Sequence, residues 1–233
     1  MDISNRIRVQ HVETLANDWY ILKKTTFDFQ RADGSWQTVS RETYDRGNGA
    51  TILLYNQKQK TVILTRQFRY PAYVNGHTGL LIETCAGLLE EADPETRIRQ
   101  EAEEETGYTV GDVELVFTAF MSPGSVTERL FFFIGAYTAT DRTGTGGGLL
   151  TDGEDIGVLE LPFSDALNMM HSGAIVDGKT IMLLQHLQLS GRMGQYATNT
   201  VSEHGVENMS STRERRYAPT KLPGNGYGPQ WGK

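Results

Sequence analysis

GLLEEADPETRIRQEAEEETG, residues 87–107, is the stretch of this chain whose reading decides the fold. Asp93 carries the short acceptor side chain that satisfies free N–H groups at a helix start. Pro94 suits the first helical position, where no backbone N–H is needed. Gly107 suits the left-handed residue that follows a helix end. The spacing predicts a helix over residues 94–106, about three turns long. Glu101, Glu104 and Glu105 are related as i, i+3 and i+4, so their carboxylates share one face, and Glu103 points elsewhere. Like charges at this spacing repel, and they sit at the helix end where the dipole disfavours negative charge. A divalent cation reverses that problem. Hard cations such as Mg2+ prefer carboxylate oxygens and share them with phosphates. Taken alone, an acidic helix face is more often simply solvated. The added weight comes from order: an apolar strand, a glycine turn, a capped helix and a glycine stop. This face is expected to be exposed, so that Glu105→Gln leaves the fold intact.

Working outward, residues 80–85 form that preceding strand. Upstream, residues 19–29 and 36–44 are rich in β-branched and aromatic residues and flank Asp33-Gly34, a hairpin signal. Residues 50–55 and 61–68 are two further apolar runs joined by a polar turn at 56–60. Downstream, residues 113–120 and 129–137 read as strands. Residues 138–153 hold five glycines without periodicity and read as a long loop, a common carrier of function. Residues 156–161 give a last strand. A helix is expected from Ser164, with Phe163 and Leu167 as a staple and Gly173 as its stop. A second helix covers residues 180–189. Alternating strands and helices point to an α+β fold, an α/β/α sandwich around a mixed sheet with an N-terminal β-hairpin extension. From Ser190 onward Gly, Ser, Thr, Asn and Arg dominate, with a basic patch at 213–216. The expected division is a β-rich segment over 1–47, a main domain over 48–190 and a flexible tail over 191–233.

Composition narrows the function. The chain has 233 residues, a formal net charge of −7 and 38% hydrophobic residues. The acidic balance argues against a nucleic-acid binder. No apolar run approaches the ~20 residues of a membrane helix, and the N-terminus does not open as a signal peptide. The one cysteine, Cys85, excludes an intrachain disulfide and suits a reducing cytoplasm.

The composite at 87–107 resembles the Nudix box, the strand–loop–helix signature G-x5-E-x7-R-E-U-x-E-E-x-G-U of the Nudix hydrolases. Glu101, Ala102, Glu104, Glu105, Gly107 and Tyr108 match its second half. Gln100 stands where the box has arginine. The loop after Gly87 is one residue short, so the first box glutamate has no clean equivalent among Glu90, Glu91 and Asp93. Beyond the box, YDRGNGATILLYN, TVILTRQFRYP, LIETCAGLLE, MSPGSVTE, EDIGVLELPFSDAL and DGKT resemble the GDP-mannose pyrophosphatase branch, which is close to the ADP-ribose pyrophosphatases. The likeness spans roughly residues 7–190.

The resemblance implies a Mg2+-dependent hydrolase, with Mn2+ as the alternative ion. It would cut the pyrophosphate of a nucleoside-diphosphate sugar, GDP-mannose to GMP and mannose 1-phosphate. It implies metal ligation by Glu101, Glu105 and the carbonyl of Ala86, with Glu104 beside them. Glu154 of the glycine-rich loop would reach the metal and serve as the base, with Asp152 or Asp155 as substitutes because this loop is longer than the family's. Glu105 and Glu154 are the implied catalytic pair. The implied substrate contacts are Tyr20, Ser40, Arg41, Glu42, Arg69, Ala86, Gly87, Glu128 and Lys179. A homodimer with exchanged N-terminal segments is implied, so that Tyr20 and Arg41 serve the partner's site. Two other readings share these residues: an ADP-ribose or ADP-sugar pyrophosphatase, and a Nudix-fold sensor of nucleotide sugars that binds without cutting.

Overall fold

The computed structural model describes residues 2–149, 151 and 153–194. Asp152 and residues 195–233, which include the basic patch, lie outside the described residues. Two sheets organise the chain. β1 (Ile7–Asn17), β2 (Ile21–Gln30) and β3 (Trp36–Asp45) form an antiparallel three-stranded sheet. The second sheet has seven strands: β4 (Gly49–Asn56), β5 (Thr61–Phe68), β6 (Leu80–Glu83), β7 (Cys85–Leu88), β8 (Val113–Phe120), β9 (Arg129–Ala136) and β10 (Gly157–Pro162). Its main path runs β10-β5-β4-β9-β8; β4 and β9 are parallel and the other pairs antiparallel, so the sheet is mixed. The helices are α1 (Tyr70–Val74), α2 (Pro94–Thr106), α3 (Phe163–Ser172) and α4 (Gly178–Leu189).

The seven-stranded sheet is covered on both faces, and strand alternation sorts its side chains. Leu53, Val62, Leu64, Phe132 and Ile134 pack with Phe163, Leu167, Leu183, Leu184 and Leu187 of α3 and α4. Ala50, Ile52, Leu54, Ile63 and Phe133 face the other way, against Ile98 and Ala102 of α2. All eight residues of β4 are buried, which is why its sequence, GATILLYN, reads as a run rather than an alternation. This is the α+β sandwich expected from the sequence.

The middle of the sheet is split. β4 pairs with β5 only through Leu54, Tyr55 and Asn56. Beyond that point β7 lies along β4, and β6 lies along β5. The single strand expected over 80–85 is therefore two, parted at Thr84. The Thr84 backbone N–H donates to Thr180 Oγ1 (2.7 Å), and its hydroxyl lies 2.8 Å from that of Thr51.

Other boundaries also differ from expectation. β1 carries register shifts after Val9 and after Thr14, which break the period of two and hide the strand in the sequence. α1 spans only five residues, too short for a periodic signal. α3 begins at Phe163, not with Ser164 as cap, and no side-chain cap bond is made. The Phe163 N–H donates instead to the Lys60 carbonyl (2.8 Å), and the Phe163 ring is fully buried. α4 starts at Gly178, capped by Asp177 on the Thr180 N–H (3.0 Å). Past α4, Met193 is buried in the α3/α4 core and Arg192 forks onto Glu114 (2.9 and 2.7 Å).

Candidate active site

α2 is fixed at both ends as its sequence predicts. Asp93 accepts from the N–H groups of Glu95 (3.1 Å) and Thr96 (3.0 Å), and Gly107 takes φ +77°. Its acidic face is not exposed, which corrects the sequence expectation. Glu101 is 6% and Glu105 2% exposed, Glu104 is half-buried, and only Glu103 faces solvent. The face turns toward the sheet because Ile98 and Ala102 on the same side are buried in the core. Gly87 makes room for this: a Cβ there would overlap the Glu101 carboxylate.

Burial raises the carboxyl of Glu101 to about 7; Arg97 opposes the rise, while Glu104 and Glu154 add to it. Burial likewise raises Glu105 to about 8, with Cys85 opposing and Glu101 and Glu154 reinforcing. Glu105 Oε2 is the one buried side-chain N or O atom without a hydrogen-bond partner among the described residues. An orphaned carboxylate oxygen beside a second buried carboxylate is costly unless it is protonated or meets a cation. Hard oxygen donors of this kind fit a divalent cation.

The donor set is not fully assembled. Among the described residues, no three Asp, Glu, His or Cys side chains stand as a ready metal cluster. Glu154 is turned onto the Leu149 N–H (2.9 Å) and folds over Gly148, where a Cβ would collide with it. The loop that bears Glu154 is tied to α2. Gly147 and Gly148 donate to the carbonyls of Glu105 (2.9 Å) and Glu104 (3.1 Å), and Thr143 and Gly144 donate to that of Gly107 (2.9 and 3.0 Å). The open carbonyls at the end of α2 are thus satisfied by the loop. A Cβ at Gly146 would run into the backbone of residues 105–107, so this clamp admits only glycine.

The cation beside Glu101 comes from Arg97 and not from the box-arginine position, which Gln100 holds. Arg97 pairs with Glu101 one turn on (2.5 Å) and donates through Nε to the Leu88 carbonyl (3.1 Å), whereas Gln100 is exposed.

A second charged group lies beside Glu105. Arg69 grips Glu83 through Nε (3.0 Å) and Nη2 (2.9 Å), and Lys179 reaches the same carboxylate (2.8 Å) and Asp177 (3.0 Å). Burial opposes the charge on Glu83, but Arg69 and Lys179 outweigh it and hold its pKa below the ordinary value. Burial also works against the Arg69 guanidinium, and Glu83 reverses this so that its pKa is raised. Sequence reasoning found Arg69 and Lys179 but missed Glu83. The signal was a lone acid in the apolar run LLIETC.

Glu128 stands over Gly49, where a Cβ would lie 3.3 Å from its carboxylate and 3.2 Å from the Gly87 carbonyl. Arg46 links it to Tyr20, 3.5 Å from Glu128 and stacked 5.5 Å from the Tyr20 ring centre. Ala86 lies in β7 opposite Thr51. Ser40, Arg41 and Glu42 are exposed on β3, and none of them bonds to the α2 carboxylates among the described residues. Arg41 and Glu42 line a separate cleft of about 590 Å3, bounded by Phe120 and residues 123–127.

Comparison with known proteins gives the family. The family model of the GDP-mannose pyrophosphatase NudK N-terminal domain matches residues 6–44, and that of the NUDIX domain matches residues 45–182. A GDP-mannose pyrophosphatase of Pectobacterium atrosepticum is 56% identical over 190 residues, covering 81% of this chain and 97% of that protein. Those of Klebsiella pneumoniae (55%, covering 82% and 96%) and Salmonella arizonae (52%, covering 82% and 100%) are similarly close. The crystal structure of an ADP compounds hydrolase superposes with a TM-score of 0.59 at 15% identity, covering 80% of this chain and 97% of that one, a likeness of fold alone. The chain belongs to the Nudix hydrolases, with the N-terminal domain of the GDP-mannose pyrophosphatase branch.

Proposed function

We propose that this chain hydrolyses the pyrophosphate of a nucleoside-diphosphate sugar, GDP-mannose in particular, to GMP and mannose 1-phosphate. The observation that carries the reading is the desolvated pair Glu101 and Glu105, with an orphaned oxygen on Glu105. The names of relatives 52–56% identical over nearly their whole length give the substrate.

Nudix hydrolases generally use divalent cations. Glu101, Glu105 and the Ala86 carbonyl would hold Mg2+, or Mn2+ in its place, with Glu104 alongside and Glu154 completing the set. Such an ion neutralises phosphate charge and acidifies bound water. The chain's own residues do the rest. Arg69 and Lys179 bind phosphate oxygens, Arg69 with the planar fork suited to them. Glu154 leaves the Leu149 N–H and takes a proton from the attacking water. That water bonds to phosphorus as the bridging oxygen departs with the other phosphate. Tyr20, Ser40, Arg41, Glu42, Gly87 and Glu128 contact the nucleotide and the sugar.

The chain works as a homodimer through its segment 1–47, with 48–190 catalytic; the tail expected from 191 does not begin there, because Met193 and Arg192 pack on the domain, and residues 195–233 lie outside the described residues. The support is the bare three-stranded sheet: every residue of β1 is exposed, and Val9 and Val12 are 62% and 51% exposed. Tyr20 and Arg41 then serve the partner's site, in keeping with Ser40, Arg41 and Glu42 making no bond to the α2 carboxylates among the described residues. The cytoplasm is the assigned compartment; no helix among the described residues is long and apolar enough to cross a membrane.

The test is incubation with Mg2+ and a panel of GDP-mannose, ADP-ribose and ADP-glucose, with separation of products. GMP and mannose 1-phosphate are expected. AMP from ADP-ribose alone would move the assignment to the neighbouring branch. Binding without cleavage would replace it by a sensor.

A further inference from the structure

Glu83 is a buried carboxylate, 2% exposed, that the proposed chemistry leaves without a task. It lies on the β6 side of the split, one residue before the break at Thr84. Two cations from distant parts of the chain converge on it. Arg69 approaches side-on, using Nε (3.0 Å) and Nη2 (2.9 Å). A guanidinium carries five N–H donors in a fixed plane. The side-on grip therefore leaves the Nη1 edge directed away from Glu83, and Nη1 has no partner among the described residues. Lys179 places its ammonium 2.8 Å from Glu83 and 3.0 Å from Asp177, with a third N–H left over.

The position of Lys179 is fixed from the same strand. Thr180 accepts the Thr84 N–H (2.7 Å) and donates its hydroxyl to Asp177 (2.6 Å), so the start of α4 is bolted to the residue after Glu83. With Asp177 included, two cations meet two carboxylates, and the group sums to zero. What it offers an anion is directed N–H groups rather than net charge. It offers them beside α2: Arg69 is near enough to Glu105 to favour that group's ionised form.

We propose that Glu83 is a positioning residue. It joins Arg69 and Lys179 into one rigid donor pair whose free N–H groups take the oxygens of the substrate's pyrophosphate. The proposal rests on the reading of the site as a nucleoside-diphosphate-sugar hydrolase. Its role is exerted through the two cations, so it concerns binding of the diphosphate more than the chemical step.

The experiment measures GDP affinity by calorimetry in the presence of Mg2+, beside KM and kcat for GDP-mannose. Glu83→Gln should weaken GDP binding and raise KM by about tenfold, with kcat within about threefold of wild type. Glu83→Asp keeps the buried charge, and so guards against loss of fold, but withdraws it by one methylene; an intermediate loss of GDP affinity is expected. Arg69→Ala combined with Glu83→Gln should lose less than the two single losses together, because one acts through the other. A folded Glu83→Gln or Glu83→Asp with wild-type GDP affinity and KM overturns the proposal, whatever its melting temperature. The two readings fail separately. GDP affinity that depends on Glu83 in a protein that cleaves no nucleotide sugar would sustain the positioning role and remove the functional reading. GDP-mannose cleavage indifferent to Glu83 would do the reverse.

Discussion

The two sheets of this molecule are left incomplete in opposite ways. At the centre of the seven-stranded sheet the apolar side chains are covered by helices on both faces, and what is unsatisfied beside it is charge: two buried glutamates of α2, one with an orphaned oxygen. In the three-stranded sheet the polar groups are well supplied, and what is unsatisfied is apolar surface. Ile7, Val9 and Val12 stand opposite Phe29, Phe27 and Thr25 on one face, and they are 40%, 62% and 51% exposed. The irregularity after Val9 is what keeps Val12 on that face despite its odd spacing. Each deficit names the chemistry that would remove it. A desolvated carboxylate pair calls for a cation; an uncovered apolar row calls for another apolar surface.

Substitutions can break this contrast. Glu105→Gln should have the largest effect, on the order of a 10^4-fold loss of turnover, ~5 kcal/mol, measured with saturating Mg2+. In the cation-free protein the same change should do the opposite to stability, raising the melting temperature at pH 8 by roughly 5 °C. The sign follows from burial, which lifts Glu105 from 4.5 to about 8. The folded chain keeps a proton that the unfolded chain releases, so the stability this group contributes is complete below pH 4.5 and is lost as pH rises through about 8. A cation-free wild type whose melting temperature is flat from pH 5 to 8 would sink that account.

Phe132→Ala, in the covered sheet, should cost about 4 kcal/mol in denaturant unfolding, since the ring is fully buried. Val9→Lys with Val12→Lys, in the bare sheet, should weaken self-association by about 100-fold, ~2.7 kcal/mol, read by sedimentation. An unchanged sedimentation coefficient at every concentration would show that this face is not the one that pairs. The smallest effect belongs to Arg192→Ala. Its bond to Glu114 lies at the surface, and its loss should cost less than ~1 kcal/mol of unfolding free energy.

The same contrast explains what could be read from the sequence. α2 was legible at both ends because caps are local: Asp93, Pro94 and Gly107 each act within one turn. β4 was legible because burial on both faces leaves an unbroken apolar run. The carboxylates Glu101 and Glu105 could be placed on one face from their spacing alone, but their burial could not. It depends on the sheet that packs over Ile98 and on the missing side chain at Gly87, a contact across fourteen positions. Glu83 was illegible for the same reason, since its partners lie fourteen and ninety-six positions away. The pairing of Arg97 with Glu101 was within reach, because i, i+4 spacing is local, but the expected arginine position drew attention to Gln100 instead.

The split between β4 and β5 has one more consequence. Opening a crevice in a sheet ordinarily strands a row of amide and carbonyl groups on each lip, and each stranded group away from water is a penalty. Here the lips are relined as they part. β7 takes over the edge of β4, β6 takes over the edge of β5, and the hydroxyls of Thr51, Thr84 and Thr180 bridge the corner between them. The chain has inserted a wedge made of its own strand, so the sheet forks without fraying. A fork of this kind is stiff where a loop-lined cleft would give, and it holds Glu83, on the β6 branch, one residue from the hydroxyl contact that anchors the start of α4.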